Sequence, residues 1–583
     1  MAGAMNKTEY VIGVTGHRDI HPDALDTVRA HIQQSLNEIQ ELLPNSAIRL
    51  VSGMADGADR IVVEEALSRN IKVDAVLPMP LEMYVDDFSE TSAKELKKLL
   101  EHQNVTSEVI PLPDDEEAST FIGNRRDQLY LGLARVLSRR CSLLIAIWDG
   151  IDTGLPGGTS DTLLNFMKVP RRSSGEPVEF QTTAGLTHHG HSNGFAIWIP
   201  TKRIGTVDVP RTDRAYLTGI SGRVVIDDTL PGELSNRISG YDAYNATFDE
   251  RVKAGDLPSP YGLLDAVPKN VNPIDLRTLE RIESEYTKAD VMAVYYQKYS
   301  DRLFAGFAVA AGLMGFLFLV YAKILASNFF LLGYLGIFVG GFFAFRYVHN
   351  KHWFSKHLMY RLIAETMRTR FYLSLAGLGE GKHIRSFEKM TGINQFSGFD
   401  WITDVFKFVE PTAPQLISMD DQAGKERLAK IQEAWIDDQC AYFSKKNRQL
   451  TERHHLIENV KKILIGFLLI GTALLIFIKP LLVSTVLVGD LHLKTLIVFF
   501  MGFLPLCFGV WEIYSAKMAV KELAWQYRQQ LDLFDDIRER LKVEPDGMVC
   551  QDIIGQLALD SLRESFLWTM QRFHREHEPP TAG

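Results

Sequence analysis

The chain has 583 residues and a formal net charge of −9, with Lys+Arg 63 against Asp+Glu 72. That length calls for two or three domains, and the acidic balance excludes a generally basic nucleic-acid binder, so no nucleic-acid polymer is expected as a partner. The four cysteines, Cys141, Cys440, Cys507 and Cys550, have no close spacing, which argues against a disulfide framework or a zinc site and fits a reducing compartment. No basic stretch followed by an apolar core opens the sequence, so no signal peptide is expected.

The first part of the chain alternates strand and helix patterns. Residues 10–15 read as a buried strand, followed by Gly16-His17-Arg18 and a helical pattern from about Pro22 to Leu43. A second strand, Ile48–Val51, runs into Ser52-Gly53-Met54-Ala55-Asp56-Gly57-Ala58-Asp59, and a helix through Ala66 follows. Val73–Leu77 reads as a third strand, and Ser142–Ile147 as a further one running into Trp148-Asp149-Gly150. This order predicts an α/β domain with a parallel, doubly wound sheet, in which ligands sit at the carboxyl ends of the strands. Glycines recur at that edge: Gly16, Gly53 and Gly57, then Gly150, Gly154, Gly157 and Gly158. Such turns let backbone N–H groups approach a phosphate or ribose, although tight turns alone would also explain them. Arg18, Arg125 and Arg126 are candidates to balance an anionic ligand, or surface and ion-paired arginines.

Val14-Thr15-Gly16-His17-Arg18, the stretch Ser52–Asp59, and Trp148-Asp149-Gly150 followed by Pro156-Gly157-Gly158-Thr159 resemble the SLOG superfamily. That Rossmann-like group includes LOG-type nucleotide phosphoribohydrolases, ligand-sensing domains of bacterial defence systems and the N-terminal region of melastatin-type TRP channels. The resemblance covers about residues 8–215. It implies a nucleotide or nucleotide-derived second messenger as ligand, with no required cofactor. The implied pocket is built from Thr15, Gly16, His17, Arg18, Ser52, Gly53, Ala55, Asp56, Gly57, Asp59, Arg125, Arg126, Trp148, Asp149, Gly150, Gly157, Gly158 and Thr159. Enzymatic members carry Pro-Gly-Gly-x-Gly-Thr-x-x-Glu. Here the loop is two residues shorter, Thr162 stands where the glutamate should be, and Asp161 is one position off, about 100° around a helix. A general acid or base must reach its proton, so binding without hydrolase chemistry is expected, and no catalytic residue is assigned.

Phe195–Ile199 reads as one more strand, and residues 203–275 as loops around short helices. His188-His189-Gly190-His191 invites a metal reading, but no carboxylate or cysteine accompanies it, and no metal site is expected.

Four uncharged runs follow, Leu303–Ala322, Phe329–Phe345, Ile463–Ile478 and Thr495–Trp511. As helices the shorter ones reach roughly 25 Å, close to the ~30 Å hydrocarbon core of a bilayer. They are apolar all round, and charge returns abruptly at Lys323, Arg346, Lys462 and Lys479, which favours membrane spans over buried core helices. Basic residues cluster after the second run, before the third and after the fourth, predicting a multi-pass membrane protein with both termini and the segment between the hairpins cytoplasmic. The resemblance to domains of bacterial defence systems implies the bacterial inner membrane. The spans hold no charge, which argues against a proton relay or voltage sensor. Gly333, Gly336, Gly340 and Gly341 include a Gly-x-x-x-Gly spacing suited to close helix packing, and a homo-oligomer is expected.

Helical patterns flank the runs at about 274–300, 353–375, 426–460, 512–541 and 552–575. The order helix, membrane hairpin, helix thus occurs twice. With Trp568 and Arg572 near the C-terminus, it resembles the SLATT-type membrane modules of bacterial conflict systems. The expected organisation is an α/β domain over 1–215, an irregular cap and linker over 216–273, an all-α unit over 274–378, a linker over 379–425 and a second all-α unit over 426–583. Three functions compete: an effector whose membrane bundle answers to a nucleotide-derived ligand, a membrane-anchored nucleotide hydrolase, and an anchored sensor or scaffold.

Overall fold

The computed structural model describes residues 8–112, 123–171, 175–182, 192–205, 209, 211–259, 262–268, 273–379, 382–393, 398–412, 419–488, 491–517 and 520–577. The histidines at 188, 189 and 191 lie outside the described residues.

A nine-stranded sheet organises the N-terminal part. Its strands are β1 (Glu9–Gly16), β2 (Ala47–Ser52), β3 (Lys72–Leu77), β4 (Val105–Val109), β5 (Leu143–Trp148), β6 (Phe180–Thr182), β7 (Ser192–Pro200), β8 (Ala215–Ile220) and β9 (Arg223–Asp227). They lie in the order β4-β3-β2-β1-β5-β7-β8-β9-β6. The first six in that order are mutually parallel, whereas β8 runs antiparallel to β7 and β9 antiparallel to β8. The expected parallel sheet is therefore a mixed one. β1 is buried along nearly its whole length and β5 throughout, as expected for apolar strands at the centre of a parallel sheet. Helices α1 (Leu25–Leu42), α2 (Ala58–Ser68), α3 (Glu90–Leu100), α4 (Asn124–Arg140) and α5 (Thr159–Phe166) fill the connections.

Residues 216–273 are not the irregular linker expected. They hold most of β8, all of β9, and a 23-residue helix, α6 (Gly232–Ala254). The two strands meet through a two-residue turn, Ser221 and Gly222, both with positive φ, which matches the twist of a hairpin. That Ser-Gly pair was the available signal, obscured by the density of Pro, Asn and Asp around it.

The chain then enters α7 (Pro273–Lys323), 51 residues without a break and roughly 75 Å long at 1.5 Å per residue. α8 (Asn328–Lys351) folds back beside it, and α9 (Trp353–Leu375) continues after His352, whose φ of 51° interrupts the helix. Residues 379–425, expected as loop-rich, carry the short helices α10 (Lys382–Thr391) and α11 (Ile402–Phe408) and the start of α12 (Gln422–Ile431). A π-helical turn at Gln432–Asp437 leads into α13 (Asp438–Phe477). α14 (Leu493–Lys517), α15 (Val520–Val543) and α16 (Gly547–His577) complete the chain.

Among the described residues, four helical stretches are long and apolar enough to cross a membrane, with mean hydropathies of 1.8 to 2.4 over their most apolar windows, and at most 6% of each window is buried. Phe329, Phe343, Ile463 and Phe477 are 64–81% exposed. Such a surface needs an apolar solvent, and it suggests a membrane protein. Phe316 of α7 packs on Phe499 and Phe503 of α14, with centroids 5.8 and 5.4 Å apart, joining the two hairpins.

The N-terminal half of α7 is built into the sheet domain. Thr8, at the entry to β1, donates to Glu285 at 2.7 Å and receives Lys288 Nζ at 2.7 Å. Lys288 also reaches Asn245 of α6 and lies 4.1 Å from the Tyr244 ring centroid. Glu285 and Lys288 are each 1% exposed. Buried charges of this kind are tolerated only when fully partnered, and removing one partner typically costs about 3–5 kcal/mol. Lys288→Met should lower the melting temperature of the detergent-solubilised protein sharply. Adding Glu285→Gln should recover part of that loss, measured by intrinsic fluorescence on heating.

Candidate functional site

In the sheet order, the chain's path reverses between β1 and β5. At such a point the loops leaving neighbouring strands part company and open a crevice at the strands' carboxyl ends. A cavity of about 420 Å³ lies there.

β1 delivers Thr15, Gly16, His17 and Arg18 to its wall. α2 crosses so closely that a methyl on Gly16 would stand 2.3 Å from the Ala58 Cβ, so no larger residue fits. Opposite, the loop after β5 brings Leu155, Pro156, Gly157, Gly158 and Thr159. Gly157 has φ of +70°, and a Cβ there would lie 2.4 Å from the Tyr130 carbonyl carbon. The loop thus lies flat on α4. Its form is held by Asp161, whose Oδ2 accepts from the Gly157 N–H at 2.8 Å and whose Oδ1 accepts from Asn165 at 3.0 Å. Asp161 faces its own loop, while Thr162 lines the cavity. Gly158 precedes α5 and Gly57 precedes α2, and neither N-terminus has a side-chain cap. At α2 the Ala58 N–H already donates to the His17 carbonyl at 3.0 Å, so it is the first N–H groups and partial positive charge of α5, at the cavity wall, that favour an anion.

Arg18 is exposed at the mouth, its guanidinium 5.5 Å from the Phe88 ring centroid and 5.2 Å from that of Tyr130. Among the described residues no carboxylate lies within ion-pair distance of it, and an anion in the cavity would supply one. Arg203, just beyond β7, also lines the cavity and pairs with Asp19 at 2.9 Å. Burial raises the Asp19 carboxyl, but the hydrogen bond and charge of Arg203 outweigh it, and the net shift is downward.

Of the residues expected from the sequence, Ala55, Asp59 and Trp148 complete the set that lines the cavity. Others stand behind it. Ser52 Oγ accepts from the Met54 N–H at 3.0 Å, and the Gly53 carbonyl accepts from Tyr84 at 2.8 Å. Asp56 pairs with Arg60 at 2.7 Å. Gly57 packs on the Arg18 carbonyl, and Gly150 holds φ of +90° at the turn after β5. Asp149 Oδ1 lies 3.1 Å from His17 Nε2 and accepts from the Ile151 N–H at 3.1 Å. Burial raises its carboxyl, the His17 contact overrides that, and the net direction is down. Arg125 is exposed and does not line the cavity. Arg126 turns away, pairing with Asp87 at 2.9 Å and donating to the Met83 carbonyl at 2.7 Å. It fixes the segment before α3 against α4.

Tyr84, Asp127, Tyr130 and Arg203 line the cavity but were not picked from the sequence. Tyr130 lies one helical turn beyond Arg126, on the face that Gly157 packs against. Arg203 follows the carboxyl end of β7, a parallel strand, so the rule applied to β1 and β5 would have found it.

The cavity therefore offers Arg18 and Arg203, the helix N-terminus at Gly158 and the hydroxyls of Thr15, Thr153 and Thr159. Beside them stand, among the described residues, three carboxylates, of which Asp19 is paired with Arg203, Asp59 is buried and Asp127 comes from α4. It suits a ligand that carries an anionic group beside hydroxyls. The chain matches no family model, no curated protein and no solved structure.

Asp59 is the electrostatic oddity of the site. It is 6% exposed, and burial lifts its carboxyl to about 7, against the Ala55 N–H, the charge of Arg18, Ser52 and Arg60. In the unfolded chain an aspartate titrates near ~3.9, so between about pH 4 and 7 the folded state holds the extra proton. Asp59 thus contributes stability at low pH that is lost as pH rises through that window. Asp59→Asn should remove this component. The wild-type melting temperature should fall relative to the variant's from pH 4 to 7, and parallel curves would contradict the assignment.

Proposed function

We propose that the protein is a membrane-embedded effector of bacterial inner membranes, whose Rossmann-like domain binds a nucleotide-derived ligand and thereby controls its transmembrane helix bundle. One observation carries this reading. The cavity, with Arg18 and the open N-terminus of α5, belongs to a domain built onto the same helix, α7, that continues as an uncovered apolar span. The cavity's volume lies within the ~300–1,000 Å³ range of small-molecule sites, and its anionic-plus-hydroxyl complementarity is that of a phosphorylated riboside. The resemblance of the strand-end motifs to SLOG domains supports the same ligand class. With Thr162 in the wall and Asp161 engaged by its loop, the Pro-Gly-Gly segment offers no carboxylate for LOG-type hydrolysis. The ligand then acts by differential affinity for two arrangements of the bundle. Both termini and the segment between the hairpins face the cytoplasm in this proposal, following the basic residues. A Cβ on Gly336, Gly340 or Gly341 of α8 would meet nothing within 4 Å beyond its own helix among the described residues, which leaves a close-packing face for a second copy.

Three measurements test the proposal. Reporter fusions after Met390, which is exposed, and at Gly583 should both give cytoplasmic signals, and a periplasmic signal from either overturns the topology. Heat denaturation of the full-length purified protein should release a nucleotide derivative detectable by mass spectrometry. Arg18→Ala should reduce its occupancy roughly tenfold, the equivalent of about 1.4 kcal/mol. Equal release from both proteins would put the ligand elsewhere. Finally, Lys298→Pro breaks α7 at an exposed position, at a cost of about 3 kcal/mol or more. It should leave the released ligand's rebinding intact while abolishing ligand-dependent liposome leakage. Full leakage in the variant would remove α7 as the transmitting element, and leakage in neither protein would favour an anchored sensor.

A further inference from the structure

A second cavity, of about 600 Å³, lies where the sheet domain meets the short helices that follow α9. One wall comes from the sheet domain: Arg139 at the end of α4, Lys168 just past α5, and Arg237 of α6. The other comes from Arg370 of α9, Arg385 and Lys389 of α10, and Lys407 of α11. Against these seven basic groups the lining holds, among the described residues, two carboxylates, Glu388 and Glu410.

The pairing inside this cluster does not exhaust the charge. Asp404, behind the wall, closes a two-point contact with Arg237, one arm of it 2.6 Å long. Glu410 is shared between Arg370 and Arg385, the latter at 2.9 Å. Among the described residues, seven basic groups line this cavity against Glu388, Glu410 and Asp404, so the described lining carries a surplus of positive charge. Helix ends account for part of that surplus. Arg139, Lys389 and Lys407 sit in the last turns of α4, α10 and α11, and Lys168 lies beyond the end of α5. Each helix C-terminus carries roughly half a negative charge, so four of them offset about two positive charges. A positive excess remains in a concavity partly walled off from water, with Arg370 only 2% exposed. Lys407 registers the crowding: burial, and then Arg237, push its ammonium down to about 8 against the pull of Asp404 and Glu388.

We propose that this cavity binds a soluble small polyanion, a molecule carrying two or more phosphate groups. The site is distinct from the cavity at β1 and β5, and it goes beyond the function proposed above. The two are mechanically linked. α4 contributes Asp127 and Tyr130 to the first cavity and Arg139 to the second, and α5 contributes Thr159 to the first and Phe166 to the second. A polyanion drawing α10 and α11 towards the ends of α4 and α5 would therefore set the position of the first cavity's walls.

The test uses the full chain in nanodiscs of neutral phosphatidylcholine, which excludes anionic lipid headgroups as the source, with inorganic tripolyphosphate as the probe. Calorimetry should show saturable binding. Lys168→Glu with Lys389→Glu, both at exposed positions, should weaken it roughly tenfold or more without lowering the melting temperature. Arg18→Ala should leave it within about twofold of the wild type. No binding at about 1 mM, or an unchanged affinity in the double variant, overturns the proposal. Loss of binding in Arg18→Ala also overturns it, because the polyanion would then occupy the first cavity. Inorganic phosphate binding as tightly as tripolyphosphate would overturn the polyphosphate assignment.

Discussion

The structure depends on a buried set of charges at the amino ends of the sheet strands. Glu9 of β1 and Asp74 of β3 are bridged by Arg49 of β2, which lies 2.6 Å from Asp74, and Arg140 from the end of α4 joins the same aspartate. Asp74 is fully buried, and burial alone would raise its carboxyl. Arg140 and Arg49 reverse that, and the net direction is down. Arg281 of α7 adds its field to the cluster, and one residue before Glu9, Thr8 holds Glu285 and Lys288 of the same helix. Such groups are stable only together, since a lone charge in that environment would be several kcal/mol too costly. Their completeness fixes α7 to the sheet.

That attachment decides how the two halves of the molecule can communicate. The cavity sits at the carboxyl ends of β1 and β5, and α7 docks at the opposite, amino ends. Aromatic packing widens the junction: Tyr244 of α6 lies 5.5 Å from Tyr360 of α9 and 5.4 Å from Trp401, and Tyr296 of α7 lies 5.7 Å from Tyr360. Buried apolar side chains form one continuous cluster from Tyr10 to Met570. A close-packed interior transmits displacement as a discrete repacking more readily than as gradual strain. The spans are less constrained, because at most 6% of each apolar window is buried among the described residues, although Phe316 packs on Phe499 and Phe503 between the hairpins.

Much of this was legible in the sequence. β1, β2, β3, β5 and β7 are apolar runs that end in glycine-bearing or proline-bearing turns, and the four uncharged runs announce their solvent directly. β4, Val-Thr-Ser-Glu-Val, was missed because its pattern is polar and only its neighbour β3 makes it a strand. β8 and β9 were missed because their hairpin lies among loop-forming residues. At the cavity, the motifs located the two strand ends, but Arg126 illustrates the limit. Its sequence position suggested a ligand contact, whereas Asp87, 39 residues away, claims it. Thr8 and Lys288, joined by a buried hydrogen bond, are 280 positions apart, and no local pattern reveals such a pairing.

The central claim is that the sheet domain and the first membrane span share one unbroken helix. Spin labels at Glu280 and at Val309, which is 70% exposed, test it in liposomes by pulsed electron resonance, with the native cysteines replaced. A continuous helix predicts one narrow distance distribution near 44 Å, from about 1.5 Å per residue. A broad distribution, or a principal distance shorter by about 10 Å or more, would mean that α7 bends between domain and membrane and would contradict the account.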